Sequence, residues 1–178
     1  MEPRQPAPDP RFEGSRIPDP GFPGDTGAAD PALAAVLAAW ERGEASYADA
    51  LAALRDARLL VPVVAVADEV EVDEAGLAHD KSSDMATVLL TGRDGRTALL
   101  GFTGTGPLQA WQADARPVPV TAPTAALAAV QDGADALVVD LAGPVRFVVE
   151  GDDLTALAAG WQPARVGDRA VWIRPAGE

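Results

Sequence analysis

The chain has 178 residues, enough for one domain or two small ones, and a net charge of -13. This charge repels phosphate backbones and anionic lipids, so the composition argues against nucleic acid and membrane surfaces as partners. There is no cysteine and only one histidine, His79. We therefore expect no thiolate chemistry, no metal site built on sulfur or on several histidines, and no cofactor.

Residues 1–29 are rich in proline, glycine and aspartate and show no periodic apolar pattern. Such a segment buries too little surface to offset the entropy of ordering it, which indicates a flexible tail. Ile17 and Phe22 are candidates to anchor this tail on the domain, and a tail that orders on a partner protein is an alternative. The start of the chain lacks the apolar stretch of a secretory signal, which favours a cytoplasmic protein.

Two short helices are predicted after the tail. Asp30 and Pro31 are typical of a helix start, and Gly43 of a helix end. Ser46 with Asp49 three residues later predicts a capping box for the second helix. The apolar positions with helical spacing are Leu33, Val36, Leu37 and Trp40 in the first helix and Tyr47, Ala50, Leu51 and Leu54 in the second.

The middle of the chain reads as strands. The run from Leu59 to Ala67 is β-branched, and Pro62 within it predicts an edge strand or a bulge. Met85 to Thr91 and Thr97 to Phe102 form a predicted hairpin around Gly92-Arg93-Asp94-Gly95.

The second half alternates between short helices and strands. Helices are expected from Pro107, from Pro123 with Leu127 and Val130 facing inward as far as Gly133, and from Asp152 as a cap. Strands are expected at Val118–Val120 on an edge, Ala136–Val139, Val145–Val149, and on both sides of Gly167-Asp168. Trp161 and Trp172 flank this last hairpin, and an exposed pair there would be an interface candidate.

This order of elements predicts an α+β fold. We expect an N-terminal helical hairpin packed on a mixed, mainly antiparallel sheet with further short helices. The predicted organisation is a tail over residues 1–29 and a single domain over residues 30–174, with a C-terminal extension after about residue 160.

Several segments occur in a defined order. They are IPDPGFPGDTGAADPAL, RLLVPVVAV after the helical hairpin, KSSDMATVLLTG, RTALLGFTGTGPLQAW, ARPVPV and GADALVVDLAGPVRFVVEG. This order resembles the SseB N-terminal domain family in its actinobacterial form and covers roughly residues 15–158. The resemblance implies an α+β fold and a cytosolic bacterial protein without an established reaction.

An acidic connection runs from Asp68 to Asp84. This connection fits a divalent-cation site or an acidic docking surface, and it also fits a solvated loop. The pattern favours the solvated loop, because the glycine of a calcium-binding loop is missing. Its end contains Lys81, Ser82, Ser83 and Asp84, a candidate binding loop in which Lys81 would donate a point charge. Adjacent residues of a loop point apart, so the neighbouring Ser, His and Asp do not indicate a catalytic triad.

A glycine-rich turn, Gly101 to Gly106, follows a predicted strand and opens a predicted helix. Phe102, Thr103, Gly104, Thr105 and Gly106 form a candidate anion-binding turn. Its spacing matches neither the dinucleotide fingerprint nor the P-loop, so a plain strand-to-helix turn is the other interpretation.

The residues therefore favour a non-catalytic protein-interaction or regulatory domain with an unknown protein partner, because no catalytic set is assembled. The alternative is a small-molecule or anion-binding domain that uses the Gly101–Gly106 turn with Lys81 and an arginine such as Arg96. The sequence leaves the oligomeric state open.

Overall fold

The computed structural model of the protein describes residues 21–65, 85–167 and 169–175. The helices are α1 (Pro31–Glu41), α2 (Tyr47–Arg55), α3 (Thr105–Trp111), α4 (Ala122–Gln131) and α5 (Gly151–Ala158). The strands are β1 (Arg58–Ala65), β2 (Met85–Thr87), β3 (Leu89–Thr91), β4 (Thr97–Gly101), β5 (Arg116–Thr121), β6 (Ala136–Val139), β7 (Phe147–Glu150), β8 (Gln162–Val166) and β9 (Arg169–Ile173). The predicted α+β fold is confirmed. No helix in the described ranges is both long enough and apolar enough to cross a membrane.

Helices α1 and α2 begin where their capping residues predict. The Asp30 side chain accepts a hydrogen bond from Ala32 N at 2.7 Å, and Pro31 opens α1. Ser46 and Asp49 form the reciprocal capping box of α2, with Ser46 N donating to Asp49 Oδ2 at 3.0 Å. Local side-chain chemistry is therefore sufficient to place the helical hairpin.

The described strands form three sheets. The first has the order β2-β1-β5 and is antiparallel, and the third is the antiparallel pair β8-β9. The second has the order β3-β4-β6-β7, in which β4 and β6 are parallel and the other pairs are antiparallel. Leu60 and Phe102 exchange backbone hydrogen bonds of 2.8 and 2.9 Å, which joins the first two sheets.

The segment from Met85 to Thr91 was expected to be one strand, but it is two. Thr87 is in register with Val63 of β1, whereas Leu89 is in register with Leu99 of β4. The chain changes sheets between them, at Val88. A local β pattern cannot show this break, because it depends on which strands lie alongside.

Pro62 lies in the central strand of the first sheet, so the expected edge or bulge position is wrong. The backbone N–H and C=O of Leu60, two residues earlier, point toward Phe102 and away from β5. Because these groups alternate in direction along a strand, the backbone of Pro62 points to the same side. On the side of β1 that faces away from β5, Leu60 pairs with Phe102, and β2 begins to pair only at Val63. Pro62 lies between these two partners, where its missing N–H costs no ladder hydrogen bond. Val118 and Val120 do lie in an edge strand, β5, as predicted.

Helix α4 faces the core with alanine and not with its large side chains. Ala122, Ala125, Ala126 and Ala129 are buried, whereas Leu127 and Val130 are 42% and 41% exposed. The expected inward position of Leu127 and Val130 is therefore wrong. Only a methyl-sized face allows α4 to lie close against α5 and β4.

Helix α5 begins two residues earlier than expected. Glu150 is the N-cap and makes no side-chain cap, and Asp152 lies in the first turn. The predicted cap at Asp152 is therefore wrong. A carboxylate in the first turn still favours the helix, since it faces the positive end of the helix dipole.

The core has two parts on opposite faces of the sheets. The larger part lies under the helices and includes Leu51, Leu59, Leu137 and Phe147. The smaller part contains Leu60, Leu100, Phe102 and Leu108, with α3 as its cover. Because α3 has only seven residues, it covers only part of this second face.

Candidate functional site

The Gly101–Gly106 turn lies at the carboxyl end of β4, beside the carboxyl end of the parallel strand β6. Gly101 is in register with Val139, and Asp140 N donates to Gly101 O at 2.9 Å. Crevices at the carboxyl ends of parallel strands are common ligand sites. The fold therefore puts the predicted turn in a favourable place, and its hydrogen bonds decide what it can hold.

A carboxylate of the chain itself already occupies this turn. Thr103 N donates to Asp140 Oδ1 at 2.8 Å, and Thr103 Oγ1 donates to Asp140 Oδ2 at 2.7 Å. Asp140 is 4% exposed and has a φ of 53°, a conformation that few residues other than glycine adopt. Burial raises the pKa of Asp140, and the two bonds from Thr103 act in the opposite direction.

The other side of the turn is covered by residues 21–29, which we call the N-terminal strap. Thr105 N donates to Gly27 O at 2.8 Å. A Cβ at Gly104 would lie 2.8 Å from Ala29 N, so only glycine lets the strap pass so closely. The strap belongs to the segment that the sequence suggests is a tail, and its contacts are with the domain.

Arg58 binds the strap to the turn. Its Nη1 donates to Thr103 O at 3.0 Å, and its Nη2 donates to Asp25 Oδ1 at 3.0 Å and to Ala28 O at 2.6 Å. The side chains of Arg58 and Asp25 are only 14% and 17% exposed. An external anion at this turn would have to displace Asp140 or the Gly27 carbonyl, and anion binding here stays a prediction.

The structure does not bring the other predicted partners to the turn. Lys81, Ser82, Ser83 and Asp84 lie outside the described residues, together with the rest of the acidic connection. Arg96 lies at the opposite end of β4 from Gly101, about 15 Å away along a strand of this length. In the parts of the chain that are described, no group of three or more His, Asp or Glu residues could hold a metal ion.

A second surface was not predicted, namely the face of the β3-β4-β6-β7 sheet opposite the larger core. A groove of about 350 Å³ lies there. Leu90, Ala98, Ala136 and Glu150 are in register across the four strands, and Val138 and Val148 are in register beside them. Because alanine occupies both central strands between larger neighbours, the surface is concave.

Arg96 forms two ion pairs at the rim of this groove. Arg96 Nε donates to Asp94 Oδ2 at 2.9 Å, and Arg96 Nη1 donates to Glu150 Oε2 at 2.8 Å. The bond from Arg96 lowers the pKa of Asp94. Asp135 Oδ2 accepts from Thr97 N at 2.8 Å. The rim is thus polar and the floor is apolar, as at many binding surfaces.

The two edges of this sheet differ. At β7, the Tyr47 hydroxyl donates to Val148 O at 3.4 Å, and the Tyr47 ring stacks on Phe147 with centroids 5.2 Å apart. Burial, with smaller contributions from nearby carboxylates, raises the pKa of Tyr47. At β3, by contrast, Leu89 and Leu90 are 37% and 38% exposed, and β3 pairs only with β4 among the described strands.

One sequence signal could have revealed the groove. Residues 136–139 and 147–149 are apolar at every position, which places apolar side chains on both faces of β6 and β7. Too few helices follow to cover both faces. An apolar face without a cover is the expected result.

The chain was compared with known proteins in three ways. A model of the SseB protein N-terminal domain matches residues 33–156, well over half of the chain. The searches of curated proteins and of solved structures gave no significant match. The matched range contains the glycine turn and the groove, and the N-terminal strap and the β8-β9 pair lie outside it. The chain belongs to the SseB family, and its central part is the SseB N-terminal domain.

Proposed function

We propose that this chain is a protein-interaction domain that acts by binding and not by catalysis. Its ligand is an extended segment of a partner protein, which adds to β3 and places alternate apolar side chains over the groove. The observation that carries this proposal is an apolar, concave sheet face beside an edge strand whose outer side has no described partner.

Strand addition suits this edge for geometric reasons. Backbone hydrogen bonds to β3 would supply affinity, and alternate side chains of the added strand would fall on the same face as Leu90. From there they reach Ala98, which is in register with Leu90. The opposite edge is less suitable, because Tyr47 already uses the Val148 carbonyl.

The rim supports binding over catalysis. Arg96 is held between Asp94 and Glu150, and none of these groups is paired with a nucleophile. Catalytic acids and bases are usually buried or aimed at one point in a pocket. Here the ion pairs are exposed and lie along the edge of an apolar floor, where they favour selectivity and solubility.

The cellular setting is part of the same proposal. A high proportion of alanine and an excess of arginine over lysine support a bacterial protein of the actinobacterial type. We infer a cytoplasmic location from the absence of cysteine together with the acidic composition. The net charge of -13 supports a protein ligand over nucleic acid.

The test is selective capture of a partner by paired variants. Leu90→Asp places a charge in the groove, and Leu127→Asp places the same charge at a similarly exposed site on α4. The wild-type chain and Leu127→Asp should recover the same partner from a lysate of the source cells, and Leu90→Asp should lose it. Thermal unfolding of all three proteins checks that they are folded.

A partner that both variants retain equally would contradict the groove as its site. Hydrogen exchange on the captured complex gives a direct measurement. Added protection should fall on Leu89–Thr91, and protection confined to other strands would also contradict the proposal.

A further inference from the structure

The C-terminal hairpin, β8 and β9, is fixed to the domain through one face only. Ala170 and Trp172 pack against the larger core. Trp172 Nε1 donates to Asp153 Oδ1 at 2.7 Å, which ties the hairpin to α5. The hairpin therefore has a fixed orientation on the domain, and its opposite face is presented to solvent.

That opposite face carries three branched apolar side chains. The register places six side chains on it, which we call the outer face: Gln162, Ala164, Val166, Arg169, Val171 and Ile173. Val166, Val171 and Ile173 are 65%, 37% and 56% exposed. A cluster of exposed branched side chains on a rigid hairpin is a typical interaction surface.

The charge of the hairpin is opposite to that of the chain. Residues 161–175 contain three arginines, Arg165, Arg169 and Arg174, and one carboxylate, Asp168, within a chain of net charge -13. The outer face contains Arg169 and no acidic residue. Arg174 lies 4.9 Å from the ring centroid of Trp161, and Arg165 is 3.8 Å from Asp49 with its side chain 57% exposed.

The backbone edges of the hairpin allow a strand to be added. Among the described strands, β8 and β9 pair only with each other, so each has an outer edge with backbone donors and acceptors. An added strand would direct alternate side chains toward the outer face. Charge selects the ligand, because carboxylates complement Arg169 on the outer face.

We propose that the outer face of the C-terminal hairpin binds an extended acidic segment of another protein, which places both carboxylates and branched apolar side chains on that face. A second copy of this chain is a poorer occupant, because a two-fold axis at this face would bring two copies of Arg169 together. Nucleic acid is also poorer, because the rest of the chain repels phosphate. This surface is separate from the β3 groove and does not depend on it.

The experiment uses the full chain and a fluorescent peptide in which pairs of glutamate alternate with pairs of valine, so that both residue types fall on each face of the strand. The peptide is about eight residues long to match one strand with its flanks. Anisotropy should show saturable binding that weakens several-fold between about 50 and about 300 mM NaCl. A peptide with lysine in place of each glutamate and a single-stranded oligonucleotide should not bind. Equal binding of either would overturn the proposal, as would no binding of the acidic peptide.

Variants locate the site. Arg169→Glu should weaken binding by about tenfold or more and Ile173→Ser by about fivefold, since one removes charge complementarity and the other removes apolar contact. Arg93→Glu, an exposed arginine in the β3-β4 turn, and Leu90→Asp in the groove should change binding by less than about twofold. A response of Leu90→Asp equal to that of Arg169→Glu would contradict a separate surface.

A second measurement does not rely on any variant. Titration of the labelled wild-type chain with the acidic peptide should shift the backbone amide signals of Gln162–Val166 and Arg169–Ile173. Shifts confined to other strands would overturn the assignment. Sedimentation that shows a dimer dissociated by Arg169→Glu would assign the face to a second copy and would also overturn it.

Discussion

Replacing Arg58 with methionine should release the N-terminal strap and leave the rest of the domain folded. Methionine keeps the unbranched stem of the side chain and removes its donors. The strap loses the bond to Asp25 Oδ1, which is charged at both ends, and the bond to Ala28 O. With about 1.5 kcal/mol for the first and about 1 kcal/mol for the second, the loss is about 2.5 kcal/mol, or about 70-fold in the opening equilibrium.

Amide hydrogen exchange reads this equilibrium at single residues. The Thr105 amide donates to Gly27 O and should exchange about 70-fold faster in Arg58→Met, up to the rate of an unprotected amide. The Thr103 amide donates to Asp140 and should keep its protection, because that bond does not involve the strap. The two amides are separated by one residue, so exchange at Thr103 is an internal reference for exchange at Thr105.

Arg42→Met is the matched control. Arg42 forms an ion pair with Glu44 at 2.7 Å, but both side chains are more than half exposed, so its loss should leave exchange at Thr105 unchanged. Unchanged exchange at Thr105 in Arg58→Met would refute the role given to Arg58. Equal acceleration at Thr103 and Thr105 would show that the whole turn opens and would refute the separation of the two contacts.

Three further predictions concern stability. Burial raises the pKa of the Asp140 carboxyl from 3.8, so the stability of the wild-type chain relative to Asp140→Asn should be greatest below pH 3.8 and should decline as pH rises through the raised pKa. Urea denaturation across this range checks it, and a rise with pH would contradict it. Ala126→Leu should cost about 2 kcal/mol or more, since Ala126 is 0% exposed, whereas Leu127→Ser should cost less than about 0.5 kcal/mol, and the reverse order in urea would contradict the orientation of α4. Trp172→Phe should cost about 1–2 kcal/mol through the lost bond to Asp153, measured by thermal unfolding, and an unchanged midpoint would contradict that bond.

Structural elements that are determined by residues close together in the chain could be predicted from the sequence. The caps at Asp30 and Ser46 fix the starts of α1 and α2, and Gly92 and Gly95 mark the β3-β4 turn, where Gly95 has a φ of 83°. In each case the residues that decide the structure are neighbours in the chain. The same holds for the hairpin at Gly167, whose φ is 61°.

Features that depend on contacts between residues far apart in the chain could not be predicted. In α4 both faces are apolar, and the sequence suggested that Leu127 and Val130 face inward because large side chains usually do. The space left between α5 and β4 admits only alanine, and that space is a property of the whole fold. The break at Val88 has the same origin, since two different strands compete for one segment.

The candidate site divides in the same way. The sequence located the Gly101–Gly106 turn but not its partners, since Asp140 is 37 residues from Thr103 and Arg58 is 45 residues from it. The groove was missed because a floor made by Ala98 and Ala136 exists only once β4 and β6 are adjacent.

The strap has a practical consequence for any shortened form of this protein. The family match starts at residue 33, so a fragment cut to that boundary would lack Asp25, Gly27 and Ala28. Arg58 would then keep only one of its three acceptors, the Thr103 carbonyl, and the Thr105 amide would lose its acceptor. Low stability or solubility of such a fragment would follow from these lost contacts. It should not be taken as a sign that the missing residues carry out the biological role.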